Sequence, residues 1–347
     1  MTARTALKAE ASGVFANPRL DPGKIRGLQR VTTADGFFII CALDHLSDFQ
    51  ELLAPDPKTV DHRRTIEAKI DLIQNLAPEV SAFLLDAEFG LAQALASRAL
   101  PGQVGLMASI EDEDYQIPPG ARRTRFRKGW SVNKAKMIGS DVLKILWFFR
   151  PDSETAEAQR QVLRDLVEEC ARLSLAFVVE PIWYPLIGET PTDPAWRARR
   201  VEGIIGSAHE ACALGCDMLK VEFPGDVGTP EQQAASLEAC HRLAAGIDVP
   251  WVILSAGVNY PQFKEQVRIA CNAGASGFLA GRSIWRDAVS VHDPRKRAEA
   301  VQAAAGRLAE LAAITREFGA PYKPALTGAE VAAAYPSSWY LDWHAGD

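Results

Sequence analysis

Short, almost uninterrupted apolar runs recur along the chain, and longer amphipathic stretches separate them. The runs are 37–43 (FFIICAL), 81–86 (SAFLLD), 104–109 (VGLMAS), 142–148 (VLKILWF), 175–180 (LAFVVE), 218–223 (MLKVEF), 251–256 (WVILSA) and 277–281 (GFLAG). Their length and apolarity predict strands covered on both faces, as parallel strands are. Between them, stretches such as 59–76, 154–173, 196–214, 230–245 and 260–273 place apolar residues at helical spacing. Eight alternations of strand and helix predict an α/β fold, the (β/α)8 or TIM barrel. A doubly wound open sheet is the alternative. It would normally carry a Gly-rich turn after its first strand, whereas here that strand runs into Ala42-Leu43-Asp44-His45.

The same pattern divides the chain into a leader (1–22), a single barrel domain (23–319) and a tail (320–347). A helix over 24–34 is expected to close the barrel floor. The segment 110–129 is long for a connection between strand and helix and reads as a lid. The tail holds Tyr322, Tyr335, Trp339, Tyr340 and Trp343. So many aromatics are expected to pack on the barrel or on a second subunit, which favours a homo-oligomer.

Composition narrows the class. With 347 residues the chain can bury a large core, and a charged fraction of 24% sets it apart from disordered acidic chains. A net charge of −6 argues against a nucleic-acid partner. No apolar run reaches the roughly 18 residues of a membrane span, and the opening stretch MTARTALKAEASGVFANPR has no apolar signal core. A cytoplasmic protein is therefore expected. Cys41, Cys170, Cys212, Cys216, Cys240 and Cys271 form no CxxC pair and read as buried free thiols. Neither HExxH, GxSxG, a P-loop nor a spaced His/carboxylate cluster occurs. No metal and no cofactor is expected.

Candidate chemistry begins with an internal echo. Gly139-Ser140-Asp141-Val142-Leu143-Lys144 and Gly215-Cys216-Asp217-Met218-Leu219-Lys220 share the pattern G-x-D-x-L-K, and each opens a strand. A lysine inside an apolar strand is costly, because burial opposes its charge. Interior layers of a barrel take side chains from alternate strands, so the fourth and sixth strands place Lys144 and Lys220 in one layer. Two crowded amines depress each other's pKa, and a neutral amine attacks carbonyls. Glu180 ends the strand between them and is the first candidate for the proton shuttle that imine chemistry needs. Glu222, on the strand face of Lys220, is the second. The bland alternative for each is an ion pair with a buried lysine.

The seventh strand leads into Ser255 and Gly257, and the eighth into Gly281 and Arg282. Loops after these strands often bind phosphate through backbone N–H groups and a helix N-terminus, which Arg282 would reinforce. Asp44 and Asp86 close the first two strands, where they could hold substrate hydroxyls or cap the next helix. His45 could touch substrate or serve structure. The basic run 122–128 (RRTRFRK) reads as a solvated loop balanced by Glu111, Asp112, Glu113 and Asp114, or as a lid over an anionic substrate.

Several blocks resemble class I aldolases of the tagatose 1,6-bisphosphate aldolase family. They are Phe83-Leu84-Leu85-Asp86 with Phe89-Gly90, Asp141-Val142-Leu143-Lys144, Val179-Glu180-Pro181, Asp217-Met218-Leu219-Lys220-Val221-Glu222 and Pro250 to Val258. The block Ala273 to Arg282 is similar to the sulfofructosephosphate aldolase branch. The likeness runs from about residue 25 to about residue 290. It implies a Schiff-base lysine at Lys220, an acid/base glutamate at Glu180, a second active-site lysine at Lys144, and a phosphate near Ser255, Gly281 and Arg282. Members of that family usually carry Asp-Gln-Arg after the first strand, whereas this chain has Asp44-His45-Leu46. The replacement puts the anionic group at the far end of the usual substrate in question.

The expected activity is cleavage of a ketose phosphate, tagatose 1,6-bisphosphate-like, to dihydroxyacetone phosphate and an aldehyde by a carbon–carbon lyase. Two alternatives stand beside it. One is the same imine chemistry on a sulfosugar phosphate, as aldolase or transaldolase. The other is a sugar-phosphate sensor that binds without turnover.

Overall fold

A computed structural model of the protein describes residues 21–112, 118–291, 293–323 and 326–343. Eight strands, β1 (Phe38–Leu43), β2 (Ala82–Leu85), β3 (Gly105–Ser109), β4 (Val142–Phe148), β5 (Ala176–Ile182), β6 (Met218–Val221), β7 (Trp251–Leu254) and β8 (Gly277–Ala280), pair in parallel and in chain order. β8 pairs with β1, so the sheet closes and the doubly wound alternative falls. Every strand coincides with one of the eight apolar runs.

Both faces of each strand are apolar because both are buried. Phe38, Ile40, Leu84, Met107, Val142, Val178, Met218, Val252 and Leu279 point inward and fill the barrel. Their alternates, among them Ile39, Phe83, Leu143, Phe177, Leu219, Ile253 and Phe278, pack outward under the helices. The helices are α1 (Pro22–Arg30), α2 (Ser47–Leu53), α3 (His62–Leu76), α4 (Leu91–Ala96), α5 (Val132–Met137), α6 (Ala156–Arg172), α7 (Pro194–Leu214), α8 (Pro230–Ala245), α9 (Tyr260–Asn272), α10 (Arg282–Ser290), α11 (Pro294–Phe318), α12 (Gly328–Ala334) and α13 (Trp339–Asp342). Side-chain caps start many of them, as at Asp61, Asp193, Asn259 and Asp293. At Thr229 a full capping box with Gln232 starts α8.

The floor explains the echo. α1 lies beneath the barrel, and the two aspartates of the G-x-D-x-L-K pattern anchor it. Asp217 takes the Lys24 ammonium at 2.8 Å, and Asp141 takes Arg30 at 2.9 Å. Each aspartate also accepts a backbone N–H from the start of a neighbouring strand: Asp217 from Phe177, and Asp141 from Leu106. α1 is displaced from the expected 24–34. Asp21 caps it and Pro22 opens it, and the chain then turns at Gly36, whose φ is +92°.

Tyr322 is buried against Phe38, with ring centroids 5.7 Å apart, and seals the floor. The expected docking of the aromatic tail therefore holds for Tyr322. Tyr335, Tyr340 and Trp343 instead gather around Trp339, leaving Tyr340 59% exposed. Residues 1–20 of the leader, with Glu113 and Asp114 of the long loop, lie outside the described residues. All six cysteines are buried and free. Burial pushes the Cys240 and Cys271 thiols up to about 12. Among the described residues, no helix is long and apolar enough to cross a membrane, and no group of three or more His, Cys, Asp or Glu stands ready to hold a metal.

Candidate active site

Strand register decides which side chains meet. Lys144 on β4 is level with Ser109 on β3 and with Val178 on β5, and Val178 is level with Met218 on β6. Two residues further along, Glu180 and Lys220 therefore face the same interior layer. Lys220 Nζ donates to Glu180 Oε2 at 2.8 Å, and Lys144 Nζ lies 2.7 Å from the same oxygen. Lys144 also donates to Glu111 Oε1 at 2.5 Å and to Asp44 Oδ2 at 3.3 Å. Two amines and three carboxylates thus share one dry chamber. The crowding of amines read from the strand pattern is present, but carboxylates surround it. Burial opposes ionisation of Asp44, yet the Lys144 and Lys220 ammoniums outweigh it and hold its carboxyl well below the usual range.

The two lysines are not equivalent. Lys144 is fully buried, with no exposed surface. Lys220 opens onto a cavity of about 200 Å³ at the C-terminal end of the barrel, and Glu180 lines it too. The β7–β8 side of that cavity is formed by Ser255, Gly257, Gly281 and Arg282. Ala256 (φ +46°) and Gly257 (φ +73°) are both left-handed, so the chain turns sharply around this wall. Arg282 begins α10, and its guanidinium reaches Asp48 and lies against Gly257. No side chain caps α10, and its first residue, Arg282, lines this wall.

The remaining expected residues divide. Glu222 lines the cavity, but its partners are the Trp183 N–H at 2.8 Å and Arg200 at 2.7 Å, not a lysine. His45 lines it as well, with its ring edge-on to Trp285. Burial, with Arg282 and Lys220 adding to it, pulls the His45 imidazole down to about 3 against the pull of Asp44, so it is neutral. Asp86 stands apart from the cavity. It binds Lys69 on α3 and accepts the N–H groups of Glu88 and Phe89. In the basic run, Arg127 pairs with Glu88 and Asp112. Arg122 lies over the rings of Phe148 and Tyr184.

Two residues escaped the sequence reading. The sequence places Glu111 among the counter-charges of the basic run, but it turns into the barrel onto Lys144. Its signal was present: Met107, Ser109 and Glu111 share one strand face, and the apparent end of the apolar run at 109 hid it. Lys69 was hidden within an amphipathic helix. It is fully buried and donates to the carbonyls of Leu43 and His45, both at 2.8 Å. It thereby holds the turn that carries Asp44.

A barrel with a buried lysine–glutamate pair at its C-terminal mouth defines a class of carbonyl enzymes, and comparison with known proteins narrows it. Residues 46–287 match the DeoC/LacD family aldolase. The chain belongs to that family and is a carbon–carbon lyase. It is 27% identical over 293 residues to the tagatose 1,6-diphosphate aldolase of Listeria monocytogenes, covering 79% of this chain and 85% of that one. It is 28% identical over 284 residues to tagatose 1,6-diphosphate aldolase 1 of Streptococcus pyogenes, covering 76% and 86%. Among solved structures it is similar to an archaeal fructose 1,6-bisphosphate aldolase, with a TM-score of 0.59 at 17% identity over 85% of this chain and 99% of that one. The fructose-bisphosphate aldolase of Slackia heliotrinireducens gives 0.59 at 17% over 85% and 93%. At such identity these structures speak for the fold. None of these likenesses carries the sulfofructosephosphate branch.

Proposed function

We propose that the protein cleaves a ketose phosphate through an imine on Lys220, releasing dihydroxyacetone phosphate and an aldehyde. The phosphorylated three-carbon end is tagatose 1,6-bisphosphate-like and sits on the β7–β8 wall. One observation carries the reading: of the two lysines that share the Glu180 carboxylate, Lys220 alone lines the cavity, and its nitrogen is 2.8 Å from Glu180. In this reading the neutral Lys220 amine adds to the C2 carbonyl, and the carbinolamine loses water to give a protonated imine. Glu180 takes the proton of the C4 hydroxyl, the C3–C4 bond breaks, and its electron pair passes into the imine. The aldehyde leaves, the enamine is protonated at C3, and water returns the amine and frees dihydroxyacetone phosphate. Lys144 holds Glu180, Glu111 and Asp44 in place and keeps positive charge beside the reacting amine. Glu222 accepts a substrate hydroxyl in this reading, whereas Asp44 does not line the cavity and stays on Lys144.

The test is reductive trapping. Borohydride added in the presence of dihydroxyacetone phosphate should leave a reduced three-carbon phosphate adduct on the peptide containing Lys220. An adduct on another residue, or none, overturns the assignment.

A further inference from the structure

We infer that the substrate carries its only anionic group on the three-carbon half, so that the fragment leaving as aldehyde is uncharged. This deepens the aldolase reading and rests on it. The cavity is asymmetric in charge. Its β7–β8 side offers the Arg282 guanidinium and the start of α10. Across the Lys220–Glu180 pair, the β5–β6 side offers Ile182 and the Glu222 carboxylate. A phosphate or sulfonate placed there would meet an apolar side chain and a like charge at short range.

No neighbouring cation reverses this. Arg200 is paired with Glu222 at 2.7 Å and does not line the cavity, just as Asp48, the partner of Arg282, does not; the charged group that each side presents to the cavity is therefore a guanidinium on one and a carboxylate on the other. Lys144 lies below the cavity among three carboxylates. On the β1 rim stands His45, whose buried imidazole is uncharged. Arg127 pairs with Glu88 and Asp112, and Arg122 lies on the Phe148 and Tyr184 rings; neither lines the cavity. Among the described lining residues, the cationic side chains are thus Arg282 and Lys220, and Lys220 must be neutral to react. A hydroxylated, uncharged fragment suits the far side well. Carboxylate oxygens accept its O–H groups, and Ile182 packs against its C–H groups.

The test runs the reaction toward carbon–carbon bond formation. Dihydroxyacetone phosphate is held constant, and glyceraldehyde is compared with glyceraldehyde 3-phosphate as acceptor. The expected result is a kcat/KM for glyceraldehyde at least about tenfold higher, the equivalent of about 1.4 kcal/mol in the transition state. Glu222→Gln should shrink that ratio. Both acceptors are read on one preparation, so any loss of folded enzyme cancels. Equal or better use of the phosphorylated aldehyde overturns the inference and leaves the aldolase reading standing, as does a ratio that Glu222→Gln does not move. Failure of dihydroxyacetone phosphate to form a borohydride adduct would instead remove the aldolase reading itself.

Discussion

The central residues make separable predictions because they differ in how many charges depend on them. Lys220→Met should abolish cleavage and the borohydride adduct while leaving the fold intact, since Lys144 still compensates Glu180. Glu180→Gln should lower kcat by about 10²- to 10⁴-fold, the usual worth of a proton shuttle, with imine formation still detectable. Lys144→Met is different. It strips a fully buried cation from three carboxylates, and an uncompensated buried charge costs about 3–5 kcal/mol, readable as a lower urea midpoint. His45 predicts a pH effect. Its folded pKa is near 3 against an ordinary 6.5, so between those values the unfolded chain binds a proton that the folded chain refuses. Stability is then lost as pH falls through that window. Urea midpoints at pH 7 and 4.5 should fall less in His45→Asn than in the parent protein. Of these residues, Lys144, Glu180 and Lys220 were legible in the sequence. Charged residues inside apolar runs stand out, and strand parity assigns their side. Glu111 was not, because it follows its run and sits among other acids.

At the scale of elements, loops and helices serve to hold the site in register. Lys69 reaches from α3 to the carbonyls of Leu43 and His45 and to Asp86. It ties the end of β1 to the end of β2. Lys69→Met should cost about 3–5 kcal/mol by leaving Asp86 buried and unpaired, and Asp86→Asn in the same chain should recover much of it. Denaturant unfolding of the single and double variants measures both. Gly27 of α1 lies against the Asp141 carbonyl, and a Cβ there would stand 2.3 Å from that oxygen. Gly27→Ala should force α1 off the floor and lower stability without touching the cavity. The periodic pattern foretold where α3 and α6 run. It could not foretell that the two aspartates of the echo anchor α1, because that depends on which helix lies beneath the barrel.

For the whole molecule, closure is what turns eight similar strands into one site. β8 pairs with β1, and this brings Arg282 and His45 to the same cavity although they lie at opposite ends of the chain. Because the proposed electron sink is an imine, prolonged dialysis against EDTA should leave the cleavage rate unchanged; a rate restored only by added metal would contradict it. Pattern along the chain is enough for the strands, their burial on both faces, the barrel and the shared layer of two lysines. These follow from local apolarity and a two-residue period, which any single chain displays. The packing of the barrel settles that Lys220 meets the cavity while Lys144 lies among three carboxylates, that Asp86 serves a helix lysine, and that Arg282 lines one side of the cavity and Glu222 the other. Those outcomes depend on distances between residues far apart in the chain, and pattern along one chain does not encode them.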